Sequence, residues 1–562
     1  MIAAPPRTPD AVPRERLALR WNELKNERAS WMAHWQEISD NLLPRSGRFF
    51  VSDRNRGERR HNAIYDNTGT RALRTLAAGM MSGMTSPARP WFRLKTADTD
   101  LMTYAPVKAW MQQCTDLMLA IFQKSNTYRA LHAIYEELGA FGTASSVVVP
   151  SFESVIHHHP LTVGEYAIAT DWSGAVVTLY REFQKTVGEL VGEFGYRACS
   201  QTVQSLYTRG QLGAWVTIIH AIEPRADRDQ RKRDNLNMPW RSIYYEAGQD
   251  KDRCLRESGY QQFPALCPRW SVSGGDVYGN SPGMEVLGDV KQLQQEQLRK
   301  SLAIDYQTKP PLQVPLSMKN REVEMLPGGI SFVDMTGPAS TIRTAFDVSL
   351  NLSFLLADIQ DIRERIRGGF YADLFLMLAN QTDARMTATE VAERHEEKLL
   401  MLGPVLERLQ NELLDPLINM TFARIMAANI LPRPPRELQG RALDVELVSM
   451  LAQAQRAIGT NSIDRFVGAM GGVAQAKPEV LDNFDADQWA AIYSDALGID
   501  PRILVPADQV DALRQARAQQ AQQAQQAALI NQGADTAQKL AGARTDQPNA
   551  LTDVTRAFAG YS

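Results

Sequence analysis

The sequence predicts an α+β protein, mainly helical, and three observations carry that prediction. Apolar residues recur at helical spacing over long stretches at 14–43, 286–308 and 388–431. Between them, residues 144–270 change character, to short β-branched and aromatic runs separated by Gly, Pro and Asp. A Pro- and Gly-rich, β-like insert at 310–338 is bracketed by two long helical segments.

Composition sets the outer bounds. The chain has 562 residues, 44% hydrophobic and 22% charged, enough to bury a large core and to form more than one domain. No apolar run reaches the length of a membrane span, so no membrane partner is expected. Residues 1–13 hold no apolar signal core and read as a disordered tail. Cys114, Cys199, Cys254 and Cys267 lie far apart, which argues against structural zinc and a disulfide framework and fits a reducing compartment. A net charge of −3 excludes a surface built throughout to grip nucleic acid, but not one past which DNA slides.

Each element has a local reason. In 14–43, Leu17, Trp21, Leu24, Trp31, Trp35, Ile38 and Leu42 form an amphipathic stripe, ended at Pro44. Arg54, Arg56, Arg59 and Arg60 then read as a solvated loop rather than a phosphate-contacting arm. Residues 106–143 read as two helices broken at Lys124-Ser-Asn-Thr. Val147-Val-Val, Val176-Val-Thr-Leu, Trp215-Val-Thr-Ile-Ile and Ile243-Tyr-Tyr are the strand candidates, and the basic run Arg225–Arg233 between two of them reads as another solvated loop. After the turn at Tyr278, Leu287, Val290, Leu298, Leu302 and Tyr306 mark a helix that Lys309-Pro-Pro stops.

A second long helix is expected from Thr341 to Arg367, spanning roughly 40 Å at 1.5 Å per residue. Its middle, with Leu350, Leu352, Phe354, Leu355, Leu356 and Ile359, is apolar on almost all sides. A surface helix of a monomer should show a polar face there, so this segment reads as a core helix or as one buried between subunits. Residues 368–387 read as a link, and Thr387-x-x-Glu390 as a capping box that opens a long helix. Pro404 and Pro416 should bend that helix, since the periodicity continues past both. Residues 440–500 read as a short helical domain, followed by a Gln/Ala-rich helix and a disordered tail from about Gly533.

The stretch Arg71–Leu94 is the most informative. Leu73, Leu76, Met80 and Met84 recur at helical spacing, Ala77, Ala78, Gly79 and Gly83 allow close approach, and Pro87 and Pro90 stop the helix before Trp91-Phe92. This wording resembles the head-to-tail connecting (portal) proteins of short-tailed bacteriophages. The resemblance extends to Phe122-Gln-Lys-Ser-Asn-Thr-Tyr, Leu138-Gly-Ala-Phe-Gly-Thr-Ala, Tyr278-Gly-Asn-Ser-Pro-Gly-Met, Leu287-Gly-Asp-Val-Lys-Gln-Leu, Pro310-Pro-Leu-Gln-Val-Pro and Thr387-Ala-Thr-Glu-Val. These lie in family order from about residue 15 to 530, and together they are specific where each alone is weak.

The resemblance implies an architecture of wing, stem, clip and crown that assembles as a ring. It implies an α/β wing at 14–285, stem helices at 286–309 and 341–370, a clip at 310–340 and a tunnel loop at 371–387. A long bent wing helix at 388–432, a crown at 433–532 and a tail at 533–562 complete the layout. The implied function is that of the channel at the capsid vertex through which DNA is packaged and ejected and to which the tail attaches. Implied partners are further copies of the chain in a dodecameric ring, double-stranded DNA, the terminase large subunit docking at the clip, capsid and scaffolding proteins, and tail adaptor and internal ejection proteins. The implied location is the virion, and the host cytoplasm during assembly. Asn380, Gln381, Thr382, Asp383 and Arg385 would face the DNA, and the apolar set from Leu350 to Ile359 would form the stem interface.

Other signals are weaker. Gly279-Asn-Ser-Pro-Gly matches a serine-hydrolase elbow at Ser281, but the oxyanion-donating N–H after the serine is missing because that residue is Pro282. His157-His-His159 has no further ligand at suitable spacing and reads as an exposed strand-end cluster. No phosphate-binding loop and no H-E-x-x-H occurs. The sequence therefore predicts no catalytic residues, no cofactor and no metal. The alternatives at this level are a virion structural or scaffolding protein without a channel, and a hydrolase using Ser281.

Overall fold

A computed structural model describes residues 14–50, 64–96, 98, 101, 104–232, 234–248, 254–315, 328, 330–333, 343–344, 352–379, 402–438, 443–448, 466–474, 477–497, 505 and 507–541. The chain divides into two compact units, Met1–Phe484 and Asp485–Ser562.

In the first unit, α1 (Arg14–Asn41) precedes α2 (Thr68–Met84), which is almost wholly buried on one side. Strand β1 (Phe92–Thr96) follows, then α3 (Ala105–Lys124) and α4 (Thr127–Phe141), separated at Ser125-Asn126 as the sequence predicts. Gly142 ends α4 in the left-handed conformation at φ 74°, and its backbone meets that of Gly279, where a Cβ would lie 2.4 Å from the Gly142 carbonyl oxygen.

The β-rich stretch forms two sheets. Strands β2 (Ser145–Ser151) and β3 (Val155–Leu161) pair with β9 (Ala265–Leu266) in the order β3-β2-β9. Strands β4 (Tyr166–Thr170), β5 (Val176–Thr186), β6 (Trp215–Pro224), β7 (Trp240–Glu246) and β8 (Arg256–Tyr260) form an antiparallel meander. One face of the meander packs Tyr180, Ile219, Ala221, Ile243 and Tyr245 on Leu17, Trp21 and Leu24 of α1. Two short helices that the sequence reading did not separate, α5 (Val187–Phe194) and α6 (Gln201–Thr208), cover part of the other face. The 225–233 run is not simply solvated. Arg225 is buried and donates to Glu257 at 3.0 Å, and Asp227 accepts from Arg241 at 2.7 Å.

A short turn of helix, α7 (Pro282–Glu285), leads into α8 (Leu287–Thr308). Strands β10 (Leu312–Pro315), β11 (Ile330–Val333) and β12 (Arg343–Thr344) form a small sheet in the order β11-β10-β12, and α9 (Leu352–Gly369) follows. The described part of this helix is 18 residues or about 27 Å; its expected start at Thr341 is corrected, and residues 345–351 lie outside the described residues. Arg343-Thr344 is strand instead, because it completes the small sheet against Leu312 and Gln313.

Two further expectations change. The start of the expected loop at 371–387 is helix α10 (Ala372–Ala379). Its Phe375 presses on α2 at Gly79, where a Cβ would sit 2.1 Å from the ring. The expected helical region after 433 holds, after a single helical turn at Arg436–Leu438, strand β13 (Leu443–Leu447), which pairs antiparallel with β1. The long helix is described only over 402–427, where it is continuous past Pro404 and Pro416; its expected start at Thr387-x-x-Glu390 lies outside the described residues. Its hydrogen-bond ladder widens to a π-turn at Gln410–Leu414, next to Pro416, which has no N–H to give and whose ring crowds the previous turn; α11 (Asp415–Ala427) continues it.

The second unit holds α12 (Ala486–Leu497) and α13 (Ala507–Ala541), with Arg514 paired to Asp487 at 2.5 Å. Helix α13 passes through Gly533, so the expected tail does not begin there.

Candidate functional site

The region of interest is the pair α8 and α9 with the small sheet between them. Each helix is buried at one end. In α8 the buried residues are Leu287, Val290, Leu293, Gln294 and Glu296, all in its first half. In α9 the buried apolar residues are Ile359, Ile362 and Ile366, towards its end. Arg365 of α9 reaches Asp289 at the start of α8 at 3.6 Å, so the two helices run antiparallel, out from the body and back.

A polar clamp fixes the base of the pair. The Gln294 side-chain oxygen accepts from the backbone N–H groups of Tyr65 and Asp66 at 2.7 and 2.8 Å, and its nitrogen donates to the Asp66 carbonyl at 2.9 Å. The Asp66 carboxylate accepts from Gln297 at 3.0 Å, from Arg363 at 2.7 and 3.1 Å, and from Thr68. Burial opposes the charge on Asp66, yet the hydrogen bonds from Thr68 and Arg363 and the charge of Arg363 hold its carboxyl below the usual range. One carboxylate thus ties both helices to the start of α2.

The far ends of the helices are different. Leu298, Leu302 and Ile304 of α8, Phe354 and Leu356 of α9, and Ile330 of β11 are exposed in the single chain, Phe354 at 79%. Of the expected interface set, Phe354 and Leu356 are therefore available to a partner, while Leu355 is half-buried against the chain's own core. Ile359 is a correction: it is fully buried within the body and is not a surface group. Leu352 opens α9, and Leu350 lies outside the described residues. The expected DNA-facing residues Asn380, Gln381, Thr382, Asp383 and Arg385 also lie outside them.

The competing sites are accounted for. Ser281 is buried and caps α7: its hydroxyl donates to the Ala140 carbonyl at 2.7 Å and accepts from the Met284 N–H at 3.0 Å. The histidine run lies within β3, not at an exposed strand end. His158 is buried beside Thr127 at 3.1 Å, and burial pushes its pKa down to about 4. Among the described residues no group of three or more His, Cys, Asp or Glu could hold a metal. No described helix is long and apolar enough to cross a membrane.

The sequence reading missed the clamp. Asp66 stands 228 and 297 residues from Gln294 and Arg363, and no local pattern links them. The i, i+3 glutamines at 294 and 297 on an otherwise apolar stripe are the one available hint.

An α/β body thus carries a helix pair clamped at its base, with a small sheet between the two helices in chain order. The model of the family described as bacteriophage head to tail connecting protein matches residues 14–504. The chain is 68% identical to the probable portal protein of Bordetella phage BPP-1, over 98% of this chain and 99% of the relative. It is 45% identical to the portal protein of Salmonella phage epsilon15, over 97% and 98%. A solved chain from the neck of an empty gene transfer agent particle covers 81% of this chain and 96% of its own, at 10% identity and a TM-score of 0.38, too loose a match to bear on assembly. The chain belongs to the bacteriophage head to tail connecting protein family, and its function is that of a portal, the connector between head and tail.

Proposed function

We propose that the chain acts as one subunit of a closed ring, a dodecamer, at the capsid vertex, and that double-stranded DNA enters and leaves through the channel of that ring. In this reading α8 and α9 are the stem, the β10–β12 sheet is the clip, and the body carrying the five-stranded sheet is the wing. The observation that carries the reading is the set of exposed apolar side chains on the outer halves of α8 and α9, with the polar clamp at their base. Large apolar groups left bare at the end of a rigid projection call for a neighbour, and in a head-to-tail ring each copy supplies one.

The chain works as a structural channel and hydrolyses nothing itself. Packaging work comes from the terminase large subunit acting at the clip, and capsid, scaffolding, tail adaptor and internal ejection proteins meet the ring at its two ends. The assembled ring belongs to the virion and forms in the host cytoplasm. Residues 380–385 contact the passing DNA as a collar of short polar groups.

Electron microscopy of the purified chain tests the ring. A ring with a central hole is expected, and Phe354→Asp should shift the population to monomer. A folded monomer at micromolar concentration, with no ring, overturns it. Deleting residues 380–385 should spare the ring but impair DNA packaging; normal packaging would reduce that segment to a connector.

A further inference from the structure

The five-stranded sheet carries a feature that the portal role does not use. Its second face and the β2–β3 hairpin enclose, with α11, a cavity of about 1060 Å³. The strand register builds the floor. Arg181 of β5 pairs with His220 of β6, His220 with Tyr244 of β7, and Tyr244 with Arg256 of β8, so the four stand in one row across the sheet.

The row is internally locked. The His220 ring stacks on Tyr244 at 3.8 Å and 8°, and the Arg256 guanidinium lies 4.8 Å from the centre of the Tyr244 ring. Arg181 Nε donates to His220 Nδ1 at 3.2 Å, which leaves the His220 proton on Nε2, facing Ser242 Oγ at 2.9 Å. Burial and the nearby arginines keep His220 neutral.

The charges on the cavity wall do not balance. Arg181, Lys185, Arg256 and Arg424 line it, against the single carboxylate of Glu193. Glu193 already serves two of them, Lys185 and Arg256. The Arg424 side chain, half-buried on α11, makes no hydrogen bond or ion pair among the described residues; Arg181 makes no direct ion pair among them, with the buried Glu165 acting on it only at longer range. Gathering cations in a recess without matching anions is unfavourable, and a bound anion relieves it. The planar fork of arginine matches the oxygens of a phosphate.

We propose that this cavity is a phosphate-binding site, held by Arg181 and Arg424 with Arg256 and Lys185 behind them, and that the phosphate belongs to a nucleotide. The volume is of the order of an organic-ligand pocket of roughly 300–1,000 Å³ rather than of an inorganic ion. Tyr260 on the same wall supplies a ring against which a base can stack, whereas the Tyr244 and Phe183 rings are already covered by His220, Arg256 and Arg181. The nucleotide is either free or part of a DNA strand, and the inference stands whether or not the chain forms a ring.

The test is isothermal titration of the full-length protein with deoxyadenosine triphosphate and, separately, with a short blunt DNA duplex. Saturable binding of at least one probe is expected, weakened about tenfold or more by Arg424→Met, the scale of one lost charge-assisted hydrogen bond. Arg209→Met, an exposed arginine outside the cavity, should bind as the parent does. Arg424→Lys keeps the charge, loses the fork and should fall between the two, which guards against misfolding of the methionine variant. Competition by duplex assigns the site to a DNA strand; binding of the triphosphate without competition assigns it to a free nucleotide. Failure of both probes to bind saturably at millimolar concentration, or binding that survives both Arg424→Met and Arg181→Met, overturns the proposal.

Discussion

The Arg269 guanidinium and the Glu412 carboxylate form a two-pronged pair across the body, at 2.7 and 3.3 Å, with the Arg269 backbone N–H adding a third bond at 2.9 Å. Glu412 sits inside the π-turn that precedes Pro416, and Arg408 one turn earlier reaches the same carboxylate at 3.0 Å. The irregularity in the long helix therefore faces a specific cation. Arg269 is 3% exposed and Glu412 17%, so water does little to screen them.

Glu412→Gln should accordingly destabilise the fold by about 3–5 kcal/mol, the cost of stranding one member of a buried pair. Chemical denaturation measures it. The double variant Arg269→Met, Glu412→Leu should recover part of the loss, because the buried charge is gone and Arg408, about a third exposed at 34%, can turn to water.

Gln294→Ala should free the Tyr65 and Asp66 N–H groups at the base of the helix pair, at about 1 kcal/mol for each part-buried hydrogen bond lost. Hydrogen exchange at those two amides should quicken, while that at α4 should not. Unchanged exchange at Tyr65 and Asp66 would show that the clamp does not hold the helices.

Glu137 gives a pH dependence. It is buried, and burial pushes its carboxyl pKa up to about 8, against hydrogen bonds from Thr162 at 2.8 Å and Val163 N–H at 3.4 Å. The folded value lies above the ordinary 4.5, so the folded state holds the proton more tightly. Its contribution is complete below about pH 4.5 and is lost as pH rises through about 8. Melting temperature should fall across that window, and Glu137→Gln should flatten the fall.

Gly79→Ala should destabilise by about 1–3 kcal/mol, because the new methyl overlaps the Phe375 ring. Adding Phe375→Leu should restore part of the loss, as read from thermal melts. A neutral Gly79→Ala would mean that α10 slides off α2 freely.

The sequence made the helices legible where spacing and stops agree. The Leu17–Leu42 stripe, the break at Ser125-Asn126 and the small-residue face of α2 all reflect local chemistry, and all appear in the structure. The helix start at Thr341 was over-read at Arg343-Thr344, which takes its partners from Leu312 and Gln313, a pairing that spacing along the chain does not reveal. The exposed Phe354 and Leu356 were legible from the missing polar face. Ile359 was not, since periodicity identifies an apolar side without saying which apolar surface will cover it. The phosphate cavity left no trace in spacing, because its cations come from β5, β8 and α11 and meet only when the sheet closes on the helix.

The β1–β13 pairing has a consequence in time. Phe92 finds its partner in Leu447, so everything from the first strand to the return strand is an excursion that begins and ends at one small sheet. A ribosome adding about 5–20 residues per second needs roughly 20–70 seconds to make the intervening chain. Through that interval β1 lacks its strand partner, although Trp91 and Phe92 can already pack on Phe122. The nascent chain should therefore be a strong client for chaperones until residue 447 clears the exit tunnel, and truncations just short of β13 should aggregate where slightly longer ones fold.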